Sequence, residues 1–141
     1  MLVFTRKLKD RQNATRYRVL LNHEDRQRTR LRIVTMEGTT AGIQLARGER
    51  LDCGDVLSTD DGDTLLIEGQ EESLSQVRSD GIDLAKACYH LGNRHVPVLI
   101  EDDGVFYRCD HVLDQMMEQL GFSVERCQRV FSPERGAYHK H

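Results

Sequence analysis

The stretch SDGIDLAKACYHLGNRHVPVLIEDDGVFY, residues 79–107, decides the fold of this chain of 141 residues. Its first part has the apolar spacing of an amphipathic helix, with Ser79 or Asp80 as the cap and Gly92 as the stop. The apolar positions of that helix are Ile82, Leu84, Ala85, Cys88 and Leu91. The remainder places two short apolar runs on either side of a Glu-Asp-Asp-Gly turn at 101–104. The stretch therefore predicts a helix followed by a β-hairpin.

The flanking sequence completes a compact fold for the second half. A strand fits residues 73–78, ahead of the helix, and Asp110 can cap a second helix that Gly121 ends. Residues 122–130 then supply a last strand. The resulting order, βαββαβ, is that of a ferredoxin-like domain.

The first half has a different pattern, in which short β-rich runs are separated by Gly and Asp clusters. Strands are predicted at 16–21, 28–33, 41–46, 55–58 and 64–67. Asp61-Gly62 is a strong turn signal, and no helical period of useful length occurs. The polar run Glu68–Glu72 marks a boundary, so we expect an all-β domain at 1–70 and a ferredoxin-like domain at 71–141. The predicted fold class is α+β.

Charge is distributed unevenly along the chain. Residues 1–50 hold 12 Lys and Arg against 5 Asp and Glu (+7), and residues 51–141 hold 8 against 18 (−10), which sums to the net charge of −3. No apolar run approaches the ~20 residues of a membrane span, and the N-terminus lacks the apolar core of a signal peptide. We therefore expect a cytoplasmic protein without a membrane partner.

Histidine and cysteine supply the candidate metal ligands. Five of the six histidines lie in the second half, and His95 falls just beyond the first helix of that half, where an exposed imidazole could bind nickel, copper or zinc. Cys109 and His111 form a C-x-H pair that would share one face if it lay on a strand. His139 and His141 lie at the end of the chain. The alternative for His95 is an ordinary surface histidine, and for Cys109 and His111 it is a buried thiol beside a first-turn histidine. For His139 and His141 the alternative is a fortuitous histidine tail or part of a tag.

No catalytic motif emerges from the sequence, so we expect no enzyme and name no catalytic residue. Two alternatives stay open at this point. Cys109 with His111 could act as a thiol/imidazole dyad, although no third orienting residue is evident. The alternating Arg28, Arg30 and Arg32 could meet phosphates or an acidic protein, but no aromatic residues interleave with them, and we expect no nucleic-acid partner.

Three motifs of the second half resemble the signatures of one family. They are YHLGNRHVP at 89–97, DHVLD at 110–114 and FSPERGAYH at 131–139. In this order they are similar to the urease accessory E proteins, the nickel chaperones of urease assembly. The first half matches more loosely, chiefly at GDVL, 54–57.

The resemblance implies a fold and a function. It implies a peptide-binding-like all-β domain, then a ferredoxin-like domain that binds metal and forms a homodimer. The shared ligand would be His95, with Cys109, His111, His139 and His141 as further ligands. The cargo would be Ni²⁺, which Zn²⁺ or Cu²⁺ could replace because a thiolate favours softer ions. The partners would be the accessory GTPase and the apo-urease assembly complex.

Overall fold

The structure is a computed structural model that describes residues 1–9 and 15–136. The chain divides into two compact units, one within 1–70 and one from residue 71 onward. Both helices and strands are present, and the α+β class predicted from the sequence is confirmed. No helix in the described ranges has the length and apolarity needed to cross a membrane.

The described part of the first unit consists of seven strands and one short helix. Its elements are β1 (Leu2–Phe4), β2 (Arg6–Lys7), β3 (Tyr17–Leu21), α1 (His23–Arg26), β4 (Arg30–Val34), β5 (Thr40–Gln44), β6 (Val56–Ser58) and β7 (Thr64–Gly69). They form a three-stranded sheet of order β1-β5-β4 and a four-stranded sheet of order β2-β6-β7-β3. Twelve buried apolar residues, from Phe4 to Ile67, form one core between them.

Most elements of the first unit agree with those predicted from the sequence, and the differences have local causes. The turn at Asp61-Gly62 joins β6 to β7, and Gly62 has the positive φ (93°) that such a turn requires. The sequence missed β1 and β2, which are three and two residues long. It also missed α1, a single turn whose cap is Asn22, since its side chain accepts a hydrogen bond from the Asp25 N–H at 2.8 Å.

The second unit has the order strand, helix, strand, strand, helix, strand. Its elements are β8 (Glu71–Arg78), α2 (Gly81–Asn93), β9 (Leu99–Glu101), β10 (Gly104–Arg108), α3 (His111–Gln119) and β11 (Val124–Val130). All strand pairs of its sheet are antiparallel, in the order β11-β8-β10-β9. This is the ferredoxin-like arrangement that the periodicity of residues 73–130 predicted.

Both long helices pack on one face of this sheet. Buried Ala87 and Leu91 of α2 and Met117 of α3 meet Val77 and Val105 from the strands. Asp114 also ties α3 to the sheet, since its Oδ1 accepts hydrogen bonds from the Tyr107 hydroxyl and the Ser75 hydroxyl, each at 2.7 Å. Burial, with the neighbouring Asp114, raises the pKa of Tyr107, so its hydroxyl stays protonated and donates.

The opposite face of the sheet is partly covered by the segment that follows β11. Phe131 is fully buried against Leu74 and Phe106, and the Arg108 guanidinium lies 5.6 Å from the centre of its ring. Three residues later the Glu134 N–H donates to the Val98 carbonyl at 2.7 Å. The described end of the chain therefore runs alongside the loop that follows α2.

Candidate metal centre

His95 has an unusual backbone conformation. Its φ is 58°, and no other non-glycine residue in the described ranges has a positive φ. The His95 N–H donates to the Gly92 carbonyl at 3.0 Å, and the Val96 N–H donates to the Leu91 carbonyl at 3.4 Å. These two bonds form a Schellman motif, in which the left-handed position usually belongs to glycine. A histidine in this position costs backbone energy, and such strain concentrates at functional sites.

The structure corrects the sequence-based prediction for the end of α2. Gly92 was expected to stop α2, but it lies inside the helix, which continues to Asn93. The reversal of the chain occurs at His95 instead. The side chain of His95 is consequently exposed, as the sequence predicted, on a backbone fixed by two hydrogen bonds.

His95 and Cys109 line the same open pocket, whose volume is about 330 Å³. The complete lining is His95, Val96, Pro97, Arg108, Cys109, Asp110, Leu113 and Phe131. Cys109 directly follows β10, and its N–H donates to the Ser73 carbonyl at 3.4 Å. The sheet order thus brings a thiol and an imidazole that are 14 residues apart in the chain to one pocket. Sequence reasoning missed the remainder of this lining.

The C-x-H pair does not lie on a strand. Asp110 is the cap of α3, and its carboxylate accepts from the N–H groups of Val112 and Leu113 at 2.9 and 3.1 Å. His111 is the first helical residue; its side chain is exposed, 3.2 Å from Gln115 (Nε2 to Nε2), and it does not line the pocket. The same-face argument therefore does not apply to Cys109 and His111, because the backbone changes from strand to helix between them.

The other three cysteines are half-buried free thiols. Burial raises the pKa of Cys88 and also that of Cys127, which makes both thiols poorer metal ligands and nucleophiles. Both pack beside the apolar clusters of the second unit as partly buried residues. Cys53 is also half-buried. Cys109 differs from these three by lining the pocket that contains His95.

His139 and His141 lie outside the described residues. Within the described part of one chain, no group of three His, Cys, Asp or Glu side chains is arranged to hold a metal ion. The pocket instead offers one imidazole and one thiol, beside the Asp110 carboxylate and the positively charged Arg108. Imidazole and thiolate are suitable donors for nickel, copper and zinc, but two donors do not complete a tight site.

The two units define a class of protein: a mainly β domain followed by a ferredoxin-like domain that carries a histidine and a thiol in one open pocket. Family models match both parts. Residues 4–68 match the UreE urease accessory protein N-terminal domain, and residues 72–141 match its C-terminal domain.

Individual relatives agree with the family models. A urease accessory protein UreE of Aliivibrio fischeri is 44% identical over 127 residues, which are 89% of this chain and 78% of the relative. Another, of Acinetobacter baylyi, is 37% identical over 143 residues, covering 100% of this chain and 90% of the relative. One of Escherichia coli O157:H7 is 41% identical over 140 residues, covering 98% and 90%. This chain belongs to the UreE urease accessory protein family, which confirms the resemblance drawn from the three motifs.

Proposed function

We propose that this protein is a nickel chaperone that carries Ni²⁺ to the urease assembly complex and catalyses no reaction itself. Its relatives are named urease accessory proteins, and in this proposal the urease active site receives the ion. The observation that carries the proposal is His95, held at the left-handed end of α2 in a pocket that it shares with Cys109. The strained backbone of His95 holds an exposed imidazole in a fixed place, and such strain concentrates at functional sites.

The primary ligand in this proposal is His95, and the tightest site is built from two copies of the chain. Because the described part of one chain holds no group of three ligands, further donors must come from elsewhere. A two-fold axis beside His95 would bring two imidazoles to one ion, since an isologous contact repeats the same residue. Tyr89 on α2 and Val112 on α3 are 65% and 66% exposed in the single chain, which suits a surface that a second copy covers.

Cys109, His111, His139 and His141 are proposed as secondary ligands. Cys109 lines the pocket, and the thiolate would let Zn²⁺ or copper compete with nickel. His139 is three residues beyond Gly136, and three residues span at most about 10 Å. Because the Glu134 N–H bonds to the Val98 carbonyl, the described chain end lies beside the loop of His95. A site built from such peripheral donors exchanges its ion readily, as a carrier requires.

The partners in this proposal are an accessory GTPase and the apo-urease assembly complex, and the location is the cytoplasm. Delivery would consist of ligand exchange, in which an acceptor site replaces the imidazoles one at a time. The role needs no catalytic residue in the chaperone.

The decisive experiment is equilibrium dialysis of the full chain against Ni²⁺, Zn²⁺ and Cu²⁺, with the mass of the assembly measured in parallel. We expect a dimer whose tightest nickel site is lost in His95→Ala. His90→Ala is the matched control, because His90 lies on the same helix but does not line the pocket. An unchanged nickel titration in His95→Ala, or an equal loss in His90→Ala, would refute the assignment.

A second series ranks the other ligands. Cys109→Ser, His111→Ala and deletion of residues 139–141 should each lower nickel affinity or stoichiometry less than His95→Ala does, while the dimer persists. A deletion whose loss equals or exceeds that of His95→Ala would make the tail the primary site.

A further inference from the structure

The outer face of the β1-β5-β4 sheet carries an unusual combination of residues. Leu31 and Ile33 of β4 point into the core, so Arg30, Arg32 and Val34 point outward. In the same register, Val3 of β1 lies opposite Gly42 of β5, and Gly42 lies opposite Arg32. The outward positions of the sheet therefore form a row of valine, glycine and arginine, with a second arginine beside it.

Gly42 leaves a trough in the middle of this face. It is the central residue of the central strand, where glycine weakens a sheet and often marks the close approach of another chain. A Cβ built at Gly42 would approach no atom closer than the Leu2 carbonyl oxygen, at 4.0 Å. The fold therefore does not need glycine here for space. The trough has a volume of about 300 Å³, and its lining includes Val3, Arg30, Arg32 and Gln44.

The two arginines bordering the trough lack the acidic neighbours that three other arginines of the same unit have. Arg16, Arg18 and Arg28 lie 3.1, 3.8 and 3.7 Å from the carboxylates of Asp63, Glu68 and Asp25. Arg30 and Arg32 form no ion pair within the described residues, although both side chains are exposed. No Asp or Glu lines the trough in that part of the chain. The face thus presents two uncompensated cationic groups beside a depression that is partly lined by apolar residues.

We propose that this face binds an extended, acidic segment of a partner protein, with carboxylates on Arg30 and Arg32 and a small apolar side chain in the trough over Gly42. Residues i and i+2 of a strand are about 7 Å apart, so the two arginines match carboxylates at alternate positions of an extended peptide. Guanidinium groups bind carboxylates through paired hydrogen bonds. The apolar contact over Gly42 gives the site a preference for peptide over simple anions.

The chemistry of the face favours an acidic peptide over a nucleic acid. Among the described residues, no aromatic side chain that could stack on a base lines the trough, and two charges are few for a phosphate backbone. The proposal concerns the first unit and is independent of the nickel site, which lies in the second unit.

The test measures binding of a fluorescent peptide, Glu-Val-Glu-Val-Glu, to the full chain at low and physiological salt. Arg30→Glu with Arg32→Glu should weaken binding by about tenfold or more. Gly42→Val should weaken it similarly without changing any charge, because the side chain fills the trough. Gly42→Ala is the milder second variant. Nickel binding should be the same in all of these proteins.

The controls keep the result specific. Arg47→Glu reverses one exposed positive charge outside this face, which is half the charge change of the double variant, and should alter peptide affinity less than about twofold. A peptide with glutamine in place of glutamate should bind poorly. The proposal is overturned if the unaltered protein does not bind the acidic peptide at about 1 mM, if Gly42→Val binds normally, or if Arg47→Glu is as damaging as the double variant. It is also overturned if a thymidine oligonucleotide binds this face more tightly than the peptide.

Discussion

Helices α2 and α3 pack on the same sheet and end with the same pair of hydrogen bonds, yet different residues occupy the left-handed position. At the end of α3 this residue is Gly121 (φ 96°), with bonds from the Gly121 N–H to the Glu118 carbonyl and from the Phe122 N–H to the Met117 carbonyl, both at 3.0 Å. At the end of α2 it is His95 (φ 58°). Glycine, the residue that favours stability in this position, is present at the end of α3 and absent from the end of α2. The end of α2 beside the pocket is therefore less stable than it would be with glycine.

The N-termini of α2 and α3 also differ, and again α3 has the more stabilising arrangement. Asp110 caps α3 through two side-chain hydrogen bonds, whereas the side chain of Asp80 makes no cap bond to α2. The ends of α3 therefore follow the rules of helix stability, and both ends of α2 depart from them. Substitutions at these helix ends therefore distinguish an effect on stability from an effect on metal binding.

The largest expected effect comes from His95→Gly. Glycine relieves the left-handed strain of about 1–2 kcal/mol but adds chain entropy to the unfolded state, so we expect a net gain of roughly 0.5 kcal/mol in the free energy of unfolding. Nickel affinity at the tightest site should nevertheless fall by about 100-fold or more, since even indirect partners of metal ligands contribute 10–100-fold. Urea unfolding and nickel dialysis on the same protein measure both quantities. A less stable His95→Gly protein would refute the strain argument, whatever its nickel affinity.

Gly121→Ala should be the most destabilising change at a helix end. Alanine would be forced into φ 96°, at a cost of about 1–2 kcal/mol in the free energy of unfolding. Gly92→Ala is the matched control, because Gly92 lies inside α2 and its Cβ would meet no atom within 4 Å. Alanine there should stabilise by roughly 0.5–1 kcal/mol. If both glycines responded alike in urea unfolding, the assignment of the two helix ends would be wrong.

The caps should give a smaller difference. Asp110→Ala removes two bonds to helix N–H groups and should cost about 1 kcal/mol in the free energy of unfolding. Asp80→Ala removes no such bond and should change it by less than about 0.5 kcal/mol. Asp110→Asn keeps the cap, so any nickel loss in that variant reports the carboxylate rather than the fold. Equal destabilisation at the two caps would contradict the comparison.

The same comparison explains which parts of the fold the sequence could predict. Local signals located α3 because its ends carry a capping aspartate and a terminal glycine at the expected positions. They misplaced the end of α2, because the left-handed residue that reverses the chain is His95, three residues after Gly92. Nothing in the local sequence marks His95 as left-handed. They missed β1, which pairs in parallel with β5 across nearly 40 residues, since such pairing leaves no short-range signal.

The candidate site was predictable to a similar degree. The motif and the position beyond α2 single out His95 as a candidate ligand, and the residue type does the same for Cys109; that either binds metal stays a prediction. Their shared pocket could not be predicted, because it depends on where the end of β10 lies relative to the end of α2. The assignment of His111 to one face with Cys109 used strand periodicity across a helix start, where it does not hold.

The smallest expected effect concerns the strands that follow the two helices. Glu101 ends β9, after α2, and Arg129 lies in β11, after α3; two hydrogen bonds of 2.7 Å join the side chains across the sheet. The bonds from Arg129 hold the pKa of the Glu101 carboxyl below its ordinary value.

A carboxyl with a lowered pKa in the folded state stabilises the protein above its unfolded pKa, roughly 4.3, and this stabilisation disappears as the pH falls through the folded pKa. Glu101→Gln should therefore be slightly less stable than the unaltered protein near pH 7 and equal to it in strong acid, as measured by urea unfolding across pH. A pH-independent difference for Glu101→Gln would mean that the ion pair does not link the two edge strands.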